Sequence, residues 1–177
     1  MFWVSQGGAG NNIAAWNSST WQPLDTGMDG SVWALAVYNG ELIAGGDFTT
    51  AGGVTVNRIA RWNGSIWQTL GTGINGTTVH ALTVYNGELI AGGTFSSAGS
   101  VTAYNVARWN GSKWQSLGNS FLSGQVSALT VYNNELIVGG DFSLSTGAPA
   151  YTTAYNIARW NGSTWQALDG GTNGLVT

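Results

Sequence analysis

Few residues in this sequence could carry out catalysis. The 177 residues include a single histidine, His80, and no cysteine. Without cysteine there is no thiolate nucleophile, disulfide, zinc ribbon or iron–sulfur ligand. One histidine is too few for a metal site built from two or more histidines, and no GxSxG nucleophile elbow accompanies it to complete a Ser-His-Asp triad. The sequence therefore predicts no metal and no cofactor.

The acidic residues form no recognisable catalytic pair either. A glycosidase needs two carboxylates about 5–10 Å apart, and calcium needs six to eight oxygen ligands. The aspartates that could serve are scattered and do not visibly converge; they are Asp25, Asp29, Asp47, Asp141 and Asp169. We therefore expect a protein that is not an enzyme.

The overall composition excludes several classes of partner. The formal net charge is −3, whereas a nucleic-acid-binding protein would show a basic patch. A chain with 7% charged and 12% aromatic residues has the opposite balance from a disordered one. No apolar run approaches the roughly 18 residues of a membrane helix. We expect neither nucleic acid nor a membrane as a partner.

The composition also bears on location. No charged segment followed by a long apolar stretch begins the chain, so no signal peptide is predicted. The chain is nevertheless free of cysteine, poor in lysine and rich in Asn, Thr and Gly, which suits a secreted or surface protein. We expect an extracellular or cell-surface origin.

The elements that must position any functional residue come from an internal repeat. One phrase, close to VYNGELIAGGDF, recurs every 47 residues, at Val37–Phe48, Val84–Phe95 and Val131–Phe142. A second phrase, close to IARWNGSxWQxL, occurs at Ile59–Leu70, Val106–Leu117 and Ile157–Leu168, with a degenerate copy at Ile13–Leu24. A period in this range is typical of stacked repeat architectures.

One repeat unit predicts four short strands and no helix. No long segment keeps the apolar spacing of a helix, and Asn-Gly turns separate β-rich segments. In the central unit the predicted strands a, b, c and d are Val79–Tyr85, Glu88–Gly93, Asn105–Trp109 and Lys113–Leu117. We predict an all-β protein, a β-propeller of four-stranded antiparallel blades with about four 47-residue repeats per chain. The first blade lacks most of its innermost strand.

The repeat resembles the kelch repeat in a divergent form. Double glycines close strand b, and a tryptophan stands where the closing tryptophan of kelch would; these are Gly45-Gly46, Gly92-Gly93 and Gly139-Gly140, with Trp67, Trp114 and Trp165. The GGDF and ARWNGSxWQ phrases are also similar to repeats of secreted bacterial proteins and fungal cortical marker proteins. The resemblance implies a propeller fold and says little about function.

The repeat boundaries leave the assembly open. We predict a single propeller or half-propeller over residues 1–177, divided into an incomplete repeat 1–31, repeats 32–78, 79–125 and 126–175, and a stub 176–177. The chain could close a four-bladed ring, join a second chain in a larger ring, or be a fragment of a longer array. Exposed repeat faces and strand edges invite partners, so we expect head-to-tail homo-oligomerisation, such as a dimer that completes a larger ring.

Two sets of connections differ between repeats and predict a binding face. They are the b–c segments Asp47–Asn57, Thr94–Asn105 and Asp141–Asn156, and the d–a segments Gly71–Thr78, Gly118–Gln125 and Asp169–Leu175. Long variable loops on one face of a repeat protein usually mark where it binds. The candidate ligand-binding residues of this face are Trp33, His80, Tyr104, Phe121, Tyr151, Tyr155, Asp47 and Asp141.

The same residues have simpler explanations. Trp33 and His80 could be half-buried fillers of a central channel, loop aromatics can pack their own loop, and Asp47 and Asp141 could open the b–c loops as Asx turns. We expect a non-catalytic scaffold or binding module, with a lectin-like, glycan-binding propeller as the alternative, because Tyr and Trp stack well on ligands.

A recurring pair of charges predicts a structural role. Each complete repeat has one glutamate on strand b and one arginine on strand c, and the degenerate first copy lacks the arginine. The members are Glu41, Glu88 and Glu135 with Arg61, Arg108 and Arg159. Pairing within a sheet or between blades would satisfy charges that are costly to bury alone.

Overall fold

The computed structural model describes residues 11–118, 121–145 and 153–168. Every regular element in them is a β strand. In chain order the strands are β1 (Ala14–Trp16), β2 (Trp21–Pro23), β3 (Val32–Tyr38), β4 (Glu41–Gly46), β5 (Thr50–Ala51), β6 (Val54–Thr55), β7 (Ile59–Trp62), β8 (Trp67–Thr69), β9 (Ile74–Tyr85), β10 (Glu88–Ala98), β11 (Val101–Thr102), β12 (Val106–Trp109), β13 (Trp114–Ser116), β14 (Phe121–Tyr132), β15 (Glu135–Ser145), β16 (Thr153–Trp160) and β17 (Trp165–Ala167). Within these ranges no helix is long and apolar enough to cross a membrane.

The strands form successive antiparallel sheets, one to each repeat. Sheet I pairs β1 with β2, sheet II has the order β3-β4-β7-β8, sheet III β9-β10-β12-β13 and sheet IV β14-β15-β16-β17. A small ribbon of β5 and β6 follows β4, and β11 pairs with the far end of β10. The predicted all-β class and the four-stranded antiparallel unit are confirmed.

Asparagine explains why the turns recur. Between β9 and β10, Asn86 and Gly87 both have positive φ, 49° and 75°. A two-residue hairpin turn needs positive φ at both positions to match the twist of its two strands. Between β12 and β13, the side-chain Oδ1 of Asn110 accepts hydrogen bonds from the backbone N–H groups of Ser112 and Lys113, each 3.0 Å. Asn17, Asn63 and Asn161 make the same turn in the other sheets.

The two glycines of each double glycine have different structural roles. A Cβ on Gly92 would lie 2.5 Å from Cγ1 of Val126 in the neighbouring sheet, so the first glycine permits close stacking of sheets. A Cβ on Gly93 would collide with the backbone carbonyl of Thr78 on the paired strand. The pairing slips by one residue at this point, which is a β-bulge.

The prediction that the b–c and d–a segments are loops is wrong in sheets III and IV. Strand β9 begins at Ile74 and β10 continues to Ala98, with Ala98 opposite Ile74. Phe121 likewise lies opposite Ser145 at the far end of β14 and β15. The two variable segments lie side by side and satisfy each other's backbone hydrogen bonds, which buried or half-buried chain must do.

Apolar clusters between neighbouring sheets form the core. In one cluster, Leu24, which directly follows β2 of sheet I, packs with Phe48 and Trp67 of the second repeat. A second joins sheets II and III around Tyr38 and Trp114. A third joins sheets III and IV, and its members include Tyr85, Leu117, Leu136 and Trp165. Each interface has the same plan, as expected when repeats contact only their neighbours.

A tryptophan hydrogen bond crosses each of these interfaces. The indole Nε1 of Trp67, on β8, donates to the backbone carbonyl of Leu24 at 3.0 Å. Trp114 and Trp165 make the same bond to Leu70 and Leu117, at 2.9 and 2.8 Å. The three indoles are buried, with exposed fractions of 1, 3 and 4%. We call this bond, from a tryptophan of one sheet to the last leucine of the preceding sheet, the tryptophan staple.

Candidate functional site

The variable position of each innermost strand lies at the bulge opposite the double glycine. In sheet II, Val32 pairs with Gly46 and Ala34 with Gly45, so Trp33 has no partner residue. His80 is skipped in the same way in sheet III and Ser127 in sheet IV. Bulges re-aim a side chain and are common next to functional sites. Each of these three sheets therefore has one bulge position that can present a side chain, and the residue at this position differs between the sheets.

Three of the predicted site residues come together at the first of these bulges. The Trp33 ring is 58% exposed, and its centroid lies 6.1 Å from that of His80 on the next sheet, with 55° between the ring planes. The Trp33 Nε1 lies 3.4 Å from Oδ2 of Asp47, to which it donates. The result is an exposed aromatic surface with a carboxylate at its edge.

The interpretation of Asp47 as an Asx turn is wrong. Its Oδ1 accepts a hydrogen bond of 2.5 Å from the backbone N–H of Ser31, sixteen residues earlier. The bulge at Trp33 brings the start of β3 beside the residue that follows the double glycine, so the carboxylate bonds across the strand pair instead of within its own loop.

A second aspartate, which sequence reasoning did not single out for a structural role, holds the β5–β6 ribbon. Asp29 Oδ1 accepts from the backbone N–H groups of Thr49 and Thr50 at 2.7 and 2.8 Å, and Oδ2 accepts from the Thr49 hydroxyl at 2.5 Å. Burial raises the pKa of Asp29, but these hydrogen bonds outweigh it and hold the pKa below its ordinary value of 3.8. Asp29 is therefore a structural clamp beside the Trp33 site.

The ionisation of His80 is set mainly by its surroundings in the sheet. Partial burial lowers the pKa of His80 below its ordinary value of 6.5, against the opposing attraction of the Asp47 carboxylate. His80 is thus neutral at neutral pH and offers an apolar ring face together with one donor and one acceptor nitrogen.

Asp141 lies in a separate crevice between sheets III and IV. The crevice has a volume of about 550 Å3; its residues are Gly76, Thr77, Thr94, Phe95, Ser96, Asn105, Gly124, Gln125 and Asp141. Thr94 takes in sheet III the place that Asp47 and Asp141 take in their sheets. Neither Trp33 nor His80 lies in this crevice, so Asp141 is not part of the Trp33 site.

The remaining predicted aromatics are less informative. Tyr104 and Tyr155 are 41% and 54% exposed and flank the asparagines that precede β12 and the matching part of β16. Phe121 begins β14, but its side chain falls outside the described residues, as does the whole of Tyr151. The site around Trp33 is the one that the described geometry assembles.

The repeated Glu–Arg pairs lie within single sheets. Arg61 Nη1 is 3.3 Å from Glu41 Oε2, and the pairs Arg108–Glu88 and Arg159–Glu135 are both at 3.1 Å. Each contact is through one nitrogen, and both partners keep a quarter to two-fifths of their side-chain surface exposed. Exposed pairs of this kind contribute at most about 1 kcal/mol, so they support the b–c pairing and take no part in the site.

Sequence reasoning missed one basic residue. Arg58 has φ of 67° and directly precedes β7, where the other repeats place an asparagine. Three other arginines pair with glutamate, and within the described ranges Arg58 has no ion pair. Comparing the repeats with each other, position by position, would have found it.

Two surfaces at opposite ends of the stack carry exposed aromatic residues. Sheet I exposes Trp16 and Trp21 by 48% and 42%, their rings 5.5 Å apart; we call these two residues the head face. Sheet IV exposes Tyr132 by 66%, and Leu168 is half-buried; we call these the tail face.

The comparisons with known proteins agree with the repeat architecture. Residues 39–64 and 86–111 match the family model described as Domain of unknown function (DUF5122) beta-propeller. Each match runs from the a–b turn of one sheet to its c–d turn. No curated protein matches the chain. The match supports a repeat family of the β-propeller type, without supporting the kelch-like assignment in particular.

Proposed function

We propose that this chain is a non-catalytic propeller scaffold that associates with itself head to tail. The kelch-like assignment and an extracellular or cell-surface setting are part of this proposal and rest on the repeat phrases and the composition alone. The β-propeller match is compatible with a binding or scaffold module.

The observation that carries the proposal is the tryptophan staple. Three copies join consecutive sheets, and in each the donor indole is buried. Trp21 is the corresponding tryptophan of sheet I, but its ring is 42% exposed, and among the residues that the structure describes its Nε1 has no acceptor. Leu168 corresponds to the acceptor leucines and lies in the tail face. One copy of the chain therefore presents an unused donor and a matching acceptor position.

A tyrosine at the end of the innermost strand shows the same mismatch. Tyr85 is 6% exposed, lies against Gly162 in the c–d turn of sheet IV, and donates from its hydroxyl to the carbonyl of Asn134 at 3.2 Å. Tyr132 is the corresponding residue of sheet IV and is 66% exposed. In the proposed assembly Tyr132 of one copy lies against the turn around Ser18 in the next copy.

Because head and tail are different surfaces, the contact is heterologous, and copies joined this way make rings when the rotation closes. The molar mass in solution tests this. We expect size-exclusion chromatography with light scattering to give a multiple of the 18.4 kDa chain mass, and Trp21→Ala to shift the mass to one chain without loss of the fold, because Trp21 is exposed in the single chain.

The matched control is Trp33→Ala, which removes an even more exposed tryptophan from outside the head face. The control should keep the assembled mass. A wild-type mass of one chain would overturn the proposal, as would an assembly that Trp21→Ala leaves intact.

A glycan-binding function is the second candidate, favoured by the exposed Trp33 ring beside His80 and Asp47. A sugar would stack on the ring, while the carboxylate and imidazole bond to its hydroxyls. A glycan array probed with the wild type and with Trp33→Ala tests this: binding that the substitution abolishes supports it, and the absence of any bound glycan overturns it.

A further inference from the structure

Arg58 stands in a backbone position that the other repeats give to asparagine. The residue directly before the Ile or Val that opens each IARWNGSxWQxL phrase has φ of 64° at Asn12, 67° at Arg58, 65° at Asn105 and 64° at Asn156. The position thus requires the left-handed conformation in every sheet, and one sheet fills it with a long cationic side chain.

An arginine at this position is unfavourable because the backbone has a positive φ there. Asparagine is enriched several-fold among residues with positive φ, and arginine is not. Apart from Arg58, the described non-glycine residues with positive φ are all Asn, Asp or Ser. Backbone strain of this kind persists where the surroundings enforce it and clusters at functional sites.

The substitution also gives up a structural hydrogen bond, which a neighbour replaces. The side-chain Nδ2 of Asn105 donates to the carbonyl of Leu122 at 2.7 Å, and that of Asn12 to Met28 at 2.9 Å. In sheet II the preceding residue, Asn57, donates to the carbonyl of Thr72 at 3.0 Å instead, and it too has positive φ, 52°. Asn57 therefore supplies a nearby bond, to a carbonyl two residues earlier than the equivalent Ile74, and Arg58 makes no such bond among the described residues.

The guanidinium of Arg58 has no partner among the described residues, and its Nε is completely buried without an acceptor. A buried donor left without an acceptor is costly, more so when it is charged. The Nε atoms of the other arginines are also unsatisfied, but each of those side chains is paired with a glutamate through Nη1. Among the described residues, only Arg58 combines a buried Nε with no carboxylate partner.

The side chain lines a cavity of about 180 Å3 between sheets II and III. The cavity is bounded by Asn57, Arg58, Thr72, Gly73, Ile74, Asn75 and Gly99. The lining residues thus include an arginine, a threonine and two asparagines but no acidic residue, around a space large enough for a small polar group.

We propose that Arg58 binds the carboxylate of a small polyhydroxylated acid, an acidic sugar of the uronic acid type. The planar guanidinium matches a carboxylate through two parallel hydrogen bonds, which its two terminal nitrogens can form while Nε stays buried. The hydroxyl and amide groups of Thr72, Asn57 and Asn75 are suited to sugar hydroxyls. The site is independent of the proposed self-association and of the Trp33 site.

The test is an NMR titration of the whole chain that follows the Nε–H resonance of Arg58. Sodium glucuronate is expected to move this resonance saturably, whereas glucose, the neutral counterpart, is expected to leave it in place. No saturable movement with glucuronate would overturn the proposal, and so would equal movement with glucose. Equal movement with sodium sulfate would show an adventitious ion only and would also overturn it.

Arg58→Asn separates binding from folding. This variant restores the residue of the other repeats, so it is expected to melt no lower than the wild type while its affinity for glucuronate falls at least tenfold. Arg61→Asn, which removes a paired arginine nearby, is the matched control and should bind normally. A lowered melting temperature for Arg58→Asn would assign Arg58 a structural role and contradict the proposal.

Discussion

The indole nitrogen of Trp114 donates a 2.9 Å hydrogen bond to the backbone carbonyl of Leu70, a residue of the preceding sheet and 44 positions earlier in the chain. The carbonyl lies just after β8 and also accepts from the backbone N–H of Gly73 at 3.1 Å, so the indole adds a second bond that limits how far one sheet can slide on the next. Because each of the three interfaces between sheets repeats it, the same contact that builds the stack predicts what its exposed faces can bind.

Removing the donor of one internal staple should loosen the stack. Trp114→Phe keeps an aromatic ring but removes one of the two donors to the Leu70 carbonyl, which keeps its bond from the backbone N–H of Gly73. We therefore expect the free energy of unfolding to fall by about 1 kcal/mol. Urea denaturation measures it. Trp33→Phe, at an exposed ring, should change stability by less than about 0.5 kcal/mol; an equal loss in both variants would contradict the role of the staple.

The first glycine of the double glycine should not tolerate a methyl group. Gly92→Ala would place Cβ 2.5 Å from Cγ1 of Val126, and overpacking of this kind costs about 1–3 kcal/mol. The control is Gly87→Asn, which meets no neighbouring atom within 4 Å and copies Asn134 of the next repeat, where φ is also positive, 60°. Unchanged stability of Gly92→Ala in chemical denaturation would show that the sheets are not in close contact there.

Two equivalent tyrosines should respond differently to loss of the hydroxyl. Tyr85→Phe removes the hydrogen bond to the Asn134 carbonyl and should cost about 1 kcal/mol. Tyr132→Phe should cost nothing measurable in the single chain, because Tyr132 is exposed. Both are compared by thermal unfolding in a Trp21→Ala background, which keeps the copies apart; equal effects would argue that the two environments do not differ.

Stability should depend on pH through His80. Burial lowers its pKa in the folded state, so the unfolded state binds the proton more tightly. The free energy of unfolding is therefore expected to be constant above about pH 6.5 and to decline as the pH falls through the lower, folded pKa. His80→Gln should remove this part of the dependence and leave the separate decline near the pKa of Asp29. An NMR titration of His80 with a midpoint above 6.5 would contradict the assignment.

Much of the fold was predictable because each unit repeats the same local rules. The Asn-Gly turns, the alternating strand patterns and the paired tryptophans identify strands b, c and d to within a few residues. The prediction failed where strand residues are mostly Thr, Ser and Gly, as in Ile74–Thr78 and Thr94–Ala98. These segments form strands because each is paired with the other along its length, and pairing between segments is not visible in the composition of either one.

The candidate site was predictable only in part. Variation at a fixed repeat position identified Trp33 and His80, but the bulge that presents them needs the slipped register of two strands. The bond from Ser31 to Asp47 depends on the same slip. Arg58 was missed because it replaces the asparagine that the other repeats have at this position and belongs to no recurring motif of its own. Its left-handed backbone conformation is apparent only in the structure.

The proposed heterologous contact makes a prediction that no symmetric contact shares. The measurement is native mass spectrometry of two variants, Trp21→Ala in the head face and Tyr132→Asp in the tail face, separately and mixed. Each substitution is at an exposed residue, so both chains should fold. Alone, each should give the single-chain mass of 18.4 kDa, because every head-to-tail contact contains one defect.

Mixed, the two variants should form a heterodimer, because the intact head of one chain meets the intact tail of the other. The account predicts that the mixture contains a species with one copy of each variant. In a separate sample, the wild type is expected to form assemblies at multiples of the chain mass. A mixture that stays at the single-chain mass while the wild type assembles would contradict head-to-tail association, and a wild type that does not assemble would contradict the proposed function itself.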